Sequence, residues 1–194
     1  MSKFLNLDNV LCFSPHPDDA EYGMLGSMIK HKETNFHILV FSIGGDFDES
    51  SNKIRQKECE EIWDKVDNVS GTFLYDNHIS NNTEDKLVNG VDLFIKESKV
   101  EYNAIFCPPE DDSHFEHKKV NSIVTPVVRR LKCGIINYRT PSTLENWIPN
   151  LYVDVDIERS CIVEGPTLTS KVLVVAETIP RFVLYAGSVL RGYA

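Results

Sequence analysis

Short apolar runs alternate with amphipathic segments along most of this chain, and that alternation limits the fold more than any other feature. The apolar runs cover residues 10–14, 36–42, 71–75, 104–107 and 134–138. None alternates strictly between apolar and polar residues, which is typical of strands covered on both faces. We therefore predict five buried strands.

Between these runs, apolar residues recur every three or four positions, as on one face of an α-helix. The predicted helices begin at Asp18 or Asp19, cover 52–66 and 84–98, and end near Leu131. Strands that alternate with helices form right-handed crossovers and a parallel sheet between helical layers. The predicted fold class is α/β, a Rossmann-like three-layer sandwich with a mostly parallel sheet.

The pattern weakens beyond Pro141. Residues 151–155 alternate like an edge strand, and residues 171–176 fit either a strand or a helix. The chain of 194 residues has no repeat, linker or low-complexity segment. That length suits one domain, so we predict a single domain over 1–194.

Charge, cysteine content and hydropathy indicate which partners and which cell compartment suit the chain. The net charge is −9, from 29 acidic and 20 basic residues, which argues against a nucleic-acid or anionic-membrane surface. Five unpatterned cysteines without a secretory segment indicate the cytoplasm. No run of 18 apolar residues occurs, so we expect no transmembrane segment. The sequence leaves a homo-oligomer open.

Two clusters of metal-binding residues follow predicted strands. His16-Pro-Asp-Asp19 comes after the first strand and His114-Phe-Glu-His117 after the fourth. Ligands of open parallel sheets bind beyond the carboxyl ends of the strands. The first and fourth strands are often neighbours in such sheets, so we expect both clusters to face one pocket.

The residue types suit a catalytic zinc ion, which takes three nitrogen or carboxylate ligands and one water. Of two adjacent carboxylates, one can bind the metal while the other takes a proton from the water. A surplus histidine, as imidazolium, can bond the oxyanion and protonate the leaving amine. Zn²⁺ is the expected metal, and ligand type leaves Fe²⁺ possible.

Residues 14–26, Ser-Pro-His-Pro-Asp-Asp-Ala-Glu-Tyr-Gly-Met-Leu-Gly, resemble the signature of the PIG-L/LmbE-like zinc-dependent N-deacetylases. The second cluster is similar to their second motif, usually His-Pro-Asp-His. Arg55-Gln-Lys-Glu58 resembles their Arg-x-x-Glu, and 147–154 resembles a late Pro-Asn-x-x-Val-Asp stretch. The similarity covers about residues 9 to 156.

The resemblance implies a hydrolase that removes an acetyl group from an N-acetylglucosamine-type sugar or conjugate, a small molecule, through a zinc-activated water. It implies three metal ligands, namely His16, Asp19 and His117. Asp18 matches the general base, and His114 matches the oxyanion partner and acid. Arg55 and Asp76 match positions that contact substrate.

Two features depart from the family pattern. The second motif has Phe115-Glu116 where Pro-Asp is usual, although the spacing of its two histidines is kept. The tail after about residue 156 is atypical and resembles a truncated family ending. We expect such a tail to affect how the site closes over its substrate.

Plainer interpretations compete at each position. The first cluster fits a capped helix start, and Arg55 with Glu58 fits a surface ion pair. Asp76 fits a turn after a strand. We expect the acidic residues 110–112 to form a solvated rim. The alternative functions are an amidase for a larger acyl-amino-sugar conjugate and a metal-binding but inactive or regulatory α/β domain.

Overall fold

The computed structural model describes residues 4–43, 49–131, 133–155 and 182–189, and every structural statement below concerns these residues. Their helices and strands follow in chain order: β1 (Asn9–Ser14), α1 (Asp19–Lys30), β2 (Asn35–Ser42), α2 (Glu49–Trp63), β3 (Val69–Tyr75), α3 (Glu84–Ser98), β4 (Ala104–Cys107), α4 (Phe115–Leu131), β5 (Gly134–Tyr138), β6 (Leu151–Val155) and β7 (Phe182–Val189). A 3-10 turn, Ile79–Asn81, lies between β3 and α3.

The strands form one sheet in the order β3-β2-β1-β4-β5-β7-β6. Neighbours from β3 to β5 pair in parallel. β7 pairs antiparallel with β5 and with the edge strand β6. The predicted mostly parallel sheet is confirmed, and so is the edge strand at 151–155.

Successive residues of a strand point to opposite faces of the sheet, and the core divides accordingly. Cys12 and Ile38 lie on one face with buried residues of α1 and α2. Leu11 and Leu39 lie on the other face with buried residues of α3 and α4. The helices therefore cover both faces, as the three-layer prediction requires.

Most predicted boundaries agree with the structure within two or three residues. The second helix shows the largest difference, because it covers Glu49–Trp63 and so begins and ends three residues before the predicted 52–66. Lys65 and Val66 donate instead to the carbonyls three residues back, at 3.1 Å each, which is a tighter turn than an α-helix. Residues 171–176 lie outside the described residues. Among the described helices, none has the length and apolar character needed to cross a membrane.

The pairing of β1 with β4 positions the two histidine clusters. Val10 is opposite Ala104, and Cys12 is opposite Phe106. Both strands run in the same direction, so the loops that follow Ser14 and Cys107 leave the sheet at the same edge. The expectation that the first and fourth strands are neighbours is confirmed.

Candidate metal and catalytic site

The loop between β1 and α1 is held by Ser14. Its hydroxyl donates to the carbonyl of His16 at 2.6 Å and accepts from the backbone N–H of Ala20 at 3.1 Å. Asp18 precedes α1 with a left-handed φ of 94°, and its side chain makes no cap hydrogen bond to the helix. Such a backbone costs about 1–3 kcal/mol and often marks a functional site. For Asp18, the helix-cap interpretation is therefore wrong.

His16, Asp19 and His117 direct polar atoms at one point. Oδ2 of Asp19 lies 3.3 Å from Nδ1 of His16 and 3.1 Å from Nε2 of His117. Two ligands bound to one zinc ion at about 2.0–2.2 Å and at a tetrahedral angle lie roughly 3.3–3.6 Å apart. The two observed distances are close to this, so Asp19 could share one metal ion with either imidazole.

The other nitrogen of each imidazole faces a carboxylate. Nδ1 of His117 lies 3.1 Å from Oδ2 of Asp112, and Nε2 of His16 lies 2.6 Å from Oε2 of Glu116. Histidines that bind metals usually donate their second N–H in this way, which fixes the ring and the tautomer. The arrangement leaves Nδ1 of His16 and Nε2 of His117 for a metal.

Asp112 corrects the expectation that 110–112 form a solvated rim. Its side chain is fully buried, because it follows β4 beneath the loop that leaves β5. Its carboxylate accepts hydrogen bonds from three hydroxyls of that loop, namely those of Thr140, Ser142 and Thr143. Glu110 and Asp111 are exposed, as predicted.

His114 lies at the open side of the site. Its ring stacks on that of His117, with centroids 4.6 Å apart, and lies 5.0 Å from the ring of His16. Its Nδ1 accepts the backbone N–H of Glu116 at 3.2 Å, so the ring proton is on Nε2. Burial and the neighbouring histidines also lower the pKa of His114. This geometry describes a neutral imidazole with Nε2–H as its hydrogen-bond donor.

A second grouping of potential ligands overlaps the first. Donor atoms of His16, His114 and His117 lie within 4.8 Å of one another. A metal is therefore compatible with either His114 or Asp19 as the third ligand. The proton on Nε2 of His114, and the bond that its Nδ1 accepts, favour Asp19.

Neighbouring carboxylates raise the pKa values of both imidazoles. Burial alone would lower the pKa of His16, but hydrogen bonds to Asp19 and Glu116 raise it to about 9. Burial likewise opposes charge on His117, and bonds to Asp112 and Asp19 raise its pKa to about 9. Burial opposes ionisation of Asp19, yet both imidazoles hold its pKa well below the usual range. A cation would be stabilised by the same carboxylates.

Asp18, directly before Asp19 in the chain, is paired with Arg55. A terminal nitrogen of Arg55 donates to Oδ2 of Asp18 at 3.2 Å and to the carbonyl of Pro17 at 2.8 Å. Burial and the charge of Asp19 raise the pKa of Asp18, while Arg55 opposes that shift. Asp18 is thus held next to the site without a position among the converging atoms.

The remaining predicted residue is Asp76, which follows β3. Asp76 is an exposed turn residue directly after β3. Four residues later, Ser80 donates from its backbone N–H and its hydroxyl to Oε1 of Glu116, at 2.7 and 2.8 Å. The segment that follows β3 therefore reaches the site through Ser80.

Sequence reasoning did not assign the residues that support the ligands. Asp112, Glu116, Ser80 and Ser142 fall in this group. Glu116 had a signal, because it occupies the acidic position of the second motif. Asp112 lies two residues before His114, but an acidic stretch gives no sign of which member is buried. Ser80 and Ser142 come from distant segments and had no local signal.

Solved structures share this fold at low sequence identity. An N,N'-diacetylchitobiose deacetylase from Pyrococcus horikoshii is 20% identical, with a TM-score of 0.63 over 78% of this chain and 66% of that chain. This chain therefore spans just under two thirds of that deacetylase. The A40926 pseudoaglycone deacetylase Dbv21 is 12% identical, with a TM-score of 0.57 over 75% and 71% of the two chains.

A third structure with this fold is named for a different activity. GalB, the 4-carboxy-2-hydroxymuconate hydratase from Pseudomonas putida KT2440, is 16% identical, with a TM-score of 0.66 over 96% of this chain and 98% of that chain. At these identities, the three structures establish the fold alone.

The sequence comparison identifies the family. No curated protein matches the chain. The family model of PIG-L, described as GlcNAc-PI de-N-acetylase, matches residues 11–128. That match covers more than half of the chain and includes both histidine clusters and Arg55, so the resemblance seen in the motifs is confirmed and the chain belongs to the PIG-L family.

Proposed function

We propose that this protein is a metal-dependent N-deacetylase that removes the acetyl group from an N-acetylglucosamine-type sugar or conjugate. One observation carries the proposal: Asp19 and two imidazoles converge at 3.1–3.3 Å, and each imidazole is backed by a carboxylate. The chain belongs to the PIG-L family, and two structural relatives are named as deacetylases. Both facts support the amide as the reacting bond.

His16, Asp19 and His117 would hold the metal. Two imidazoles and one carboxylate suit Zn²⁺ first and Fe²⁺ second. The metal would supply Lewis acidity, which polarises the acetyl carbonyl and makes a water easier to deprotonate at neutral pH. The remaining chemistry falls to side chains of this chain.

Asp18 is proposed as the general base. It takes a proton from the water as the water oxygen attacks the acetyl carbon. Arg55 pairs with the carboxylate and also donates a hydrogen bond to the carbonyl of Pro17. The orientation of the base therefore does not depend on the substrate. A base held in place before the reaction avoids the entropy of positioning it.

His114 is proposed to stabilise the oxyanion. Its Nδ1 is occupied by the backbone N–H of Glu116, so Nε2–H is the group that can donate to a negative oxygen. As the carbon–nitrogen bond breaks, the amine nitrogen needs a proton. Asp18 carries the proton it took from water and can give it to that nitrogen, which leaves a free amine and acetic acid, and the acid then releases its proton to solvent as acetate.

Two residues are proposed to contact the substrate. Asp76 is exposed beyond the carboxyl end of β3, at the edge of the sheet where the site lies, and we propose that it contacts sugar hydroxyls. Arg55 is engaged with Asp18, so its proposed contact with substrate would be made by guanidinium nitrogens beyond that pair. The proposed substrate class includes both free amino sugars and their conjugates.

The decisive experiment measures acetate and amine release from a panel of N-acetylated sugars and conjugates by metal-loaded protein. Matched substrates that carry longer N-acyl chains test the amidase alternative, which predicts faster cleavage of the longer chain. Asp18→Asn is the control for contaminating activity. If metal-loaded protein released acetate from none of the panel, the inactive or regulatory alternative would replace this proposal.

A further inference from the structure

Glu116 links three separate segments of the chain. Its Oε2 accepts from Nε2 of His16 at 2.6 Å, on the loop after β1. Its Oε1 accepts from the backbone N–H and the hydroxyl of Ser80, on the 3-10 turn after β3. Glu116 itself lies in the first turn of α4 and is 6% exposed. Both oxygens of one buried carboxylate are therefore committed to different segments.

The length of this side chain matters. The second motif usually carries Asp here, and Glu adds one methylene, which extends the reach of the carboxylate by about 1.5 Å or less. Starting from the first turn of α4, that extra reach lets the carboxylate meet Ser80 and His16 at once.

Ser80 is itself held firmly. Lys119, one turn along α4 from Glu116, donates to the carbonyls of Ile79 at 3.2 Å and Asn82 at 2.9 Å. Ile79 is fully buried, and the side-chain amide of Asn82 donates to the backbone carbonyl of His78 at 3.0 Å. The two donors of Ser80 thus point at Glu116 from a turn that is anchored on both sides.

We propose that Ser80 is a positioning residue for the metal site, which acts through Glu116 to hold His16 with Nδ1 turned towards the metal. The inference rests on the proposed metal site but not on the reaction performed there. Ser80 touches neither metal nor substrate. Its two hydrogen bonds fix one oxygen of Glu116, and the other oxygen then fixes the ring of His16.

Zinc affinity, measured by chelator competition, tests this relay directly. Groups that orient metal ligands typically contribute 10–100-fold to metal affinity. Ser80→Ala keeps the backbone N–H bond, so we expect its zinc affinity to fall by only about 3- to 10-fold. Ser80→Thr, which keeps a hydroxyl, should restore most of that loss. The absorption spectrum of the Co²⁺-loaded protein should change in Ser80→Ala, because the orientation of His16 changes.

Ser122→Ala is the matched control. The hydroxyl of Ser122 donates to the carbonyl of Lys119 at 2.8 Å, the same length as the Ser80 bond, on the exposed side of α4. Its removal should leave zinc affinity and the Co²⁺ spectrum unchanged. Comparing the two variants separates a relay to the metal from the general loss of a hydroxyl.

A double-mutant cycle gives the sharpest test. Glu116→Ala should lower zinc affinity by about 10–100-fold, and Ser80→Ala should add nothing further in that background. Where Glu116→Ala does not fold, Glu116→Leu, which has no acceptor for Ser80, takes its place in the cycle. Unchanged zinc affinity in Ser80→Ala, or a loss that persists without Glu116, would overturn the inference while leaving the deacetylase proposal intact. Wild-type protein that binds no zinc would overturn both.

Discussion

The carboxylate of Asp112 lies 3.1 Å from Nδ1 of His117, and the other nitrogen of that ring lies 3.1 Å from Asp19. Asp112 is fully buried and receives three hydroxyls from the loop after β5, so it is itself held in one orientation. Asp112 thus contacts the outer nitrogen of His117, and the inner nitrogen of His117 contacts Asp19 in the proposed metal site.

We predict that Asp112→Asn weakens zinc binding by about 10–100-fold, because an amide orients His117 less firmly and makes its Nε2 a poorer ligand. The measurement is the dissociation constant for zinc by chelator competition. Asp111→Asn, an exposed neighbour, is the control and should bind zinc like the wild type. Equal affinities for all three proteins would show that Asp112 serves only the fold.

The two adjacent carboxylates should separate metal binding from turnover. Asp18→Asn should retain about one zinc per chain and lose about 10²–10⁴-fold in kcat, the typical contribution of a general base. Asp19→Asn should lose both, because Asp19 lies between the two imidazoles. Metal analysis and initial rates on the same preparations check this. Wild-type turnover in Asp18→Asn would disprove the base assignment.

Arg55 has two possible roles that kinetics can separate. Its guanidinium bonds Oδ2 of Asp18 at 3.2 Å, so Arg55→Gln should lower kcat with unchanged zinc content if its main work is to orient the base. A contact with substrate predicts mainly a higher KM. Steady-state kinetics on the best substrate of the panel decides the matter, with Lys57→Gln, an exposed residue on the same helix, as control.

Metal removal should lower thermal stability. A ligand that binds only the folded state at 100 times its dissociation constant stabilises by about 2.7 kcal/mol. For a chain of this size, that corresponds to roughly 5–11 °C in Tm. Chelated and zinc-loaded wild type should differ by such a shift in differential scanning calorimetry. His16→Ala should show little difference, and a full zinc shift in that variant would remove His16 from the ligand set.

The parallel part of the sheet was predictable because each of its strands is a local apolar run. Runs such as 36–42 are apolar throughout, and the helices between them carry their own period, so element type and order follow from neighbouring residues alone. The partner strand β7 was not predicted, because it pairs antiparallel with β5 at a sequence separation of about 50 residues. Such pairing leaves little trace in a local pattern.

Within the site, only the proposed metal-binding and catalytic residues were predictable from the sequence. His16, Asp19 and His117 carry residue types that indicate metal chemistry, and the order of the strands brings them together. Asp112 and Ser80 act through burial and through hydrogen bonds to distant segments, and neither property is written in the spacing of nearby residues. The supporting carboxylates and hydroxyls therefore needed the structure.

The glycines of the first motif give a last prediction, about stability. A Cβ on Gly23 of α1 would lie 2.4 Å from the ring of Tyr138 and 2.8 Å from the carbonyl oxygen of Arg139. The hydroxyl of Tyr138 donates to the carbonyl of Phe13 at 2.7 Å, so its ring cannot withdraw without breaking a buried bond. Gly23→Ala should therefore destabilise the protein by about 1–3 kcal/mol through overpacking.

Gly90→Ala is the comparison, because its Cβ would meet the hydroxyl of Tyr75 at 2.2 Å, at the far end of a side chain. That hydroxyl makes an exposed bond to the carbonyl of Lys86, which can rearrange at low cost. Alanine also favours the helix by about 0.8–1.0 kcal/mol over glycine, which offsets the contact. Urea unfolding should place the midpoint of Gly23→Ala well below that of Gly90→Ala. The reverse order would show that α1 can move away from Tyr138 without loss.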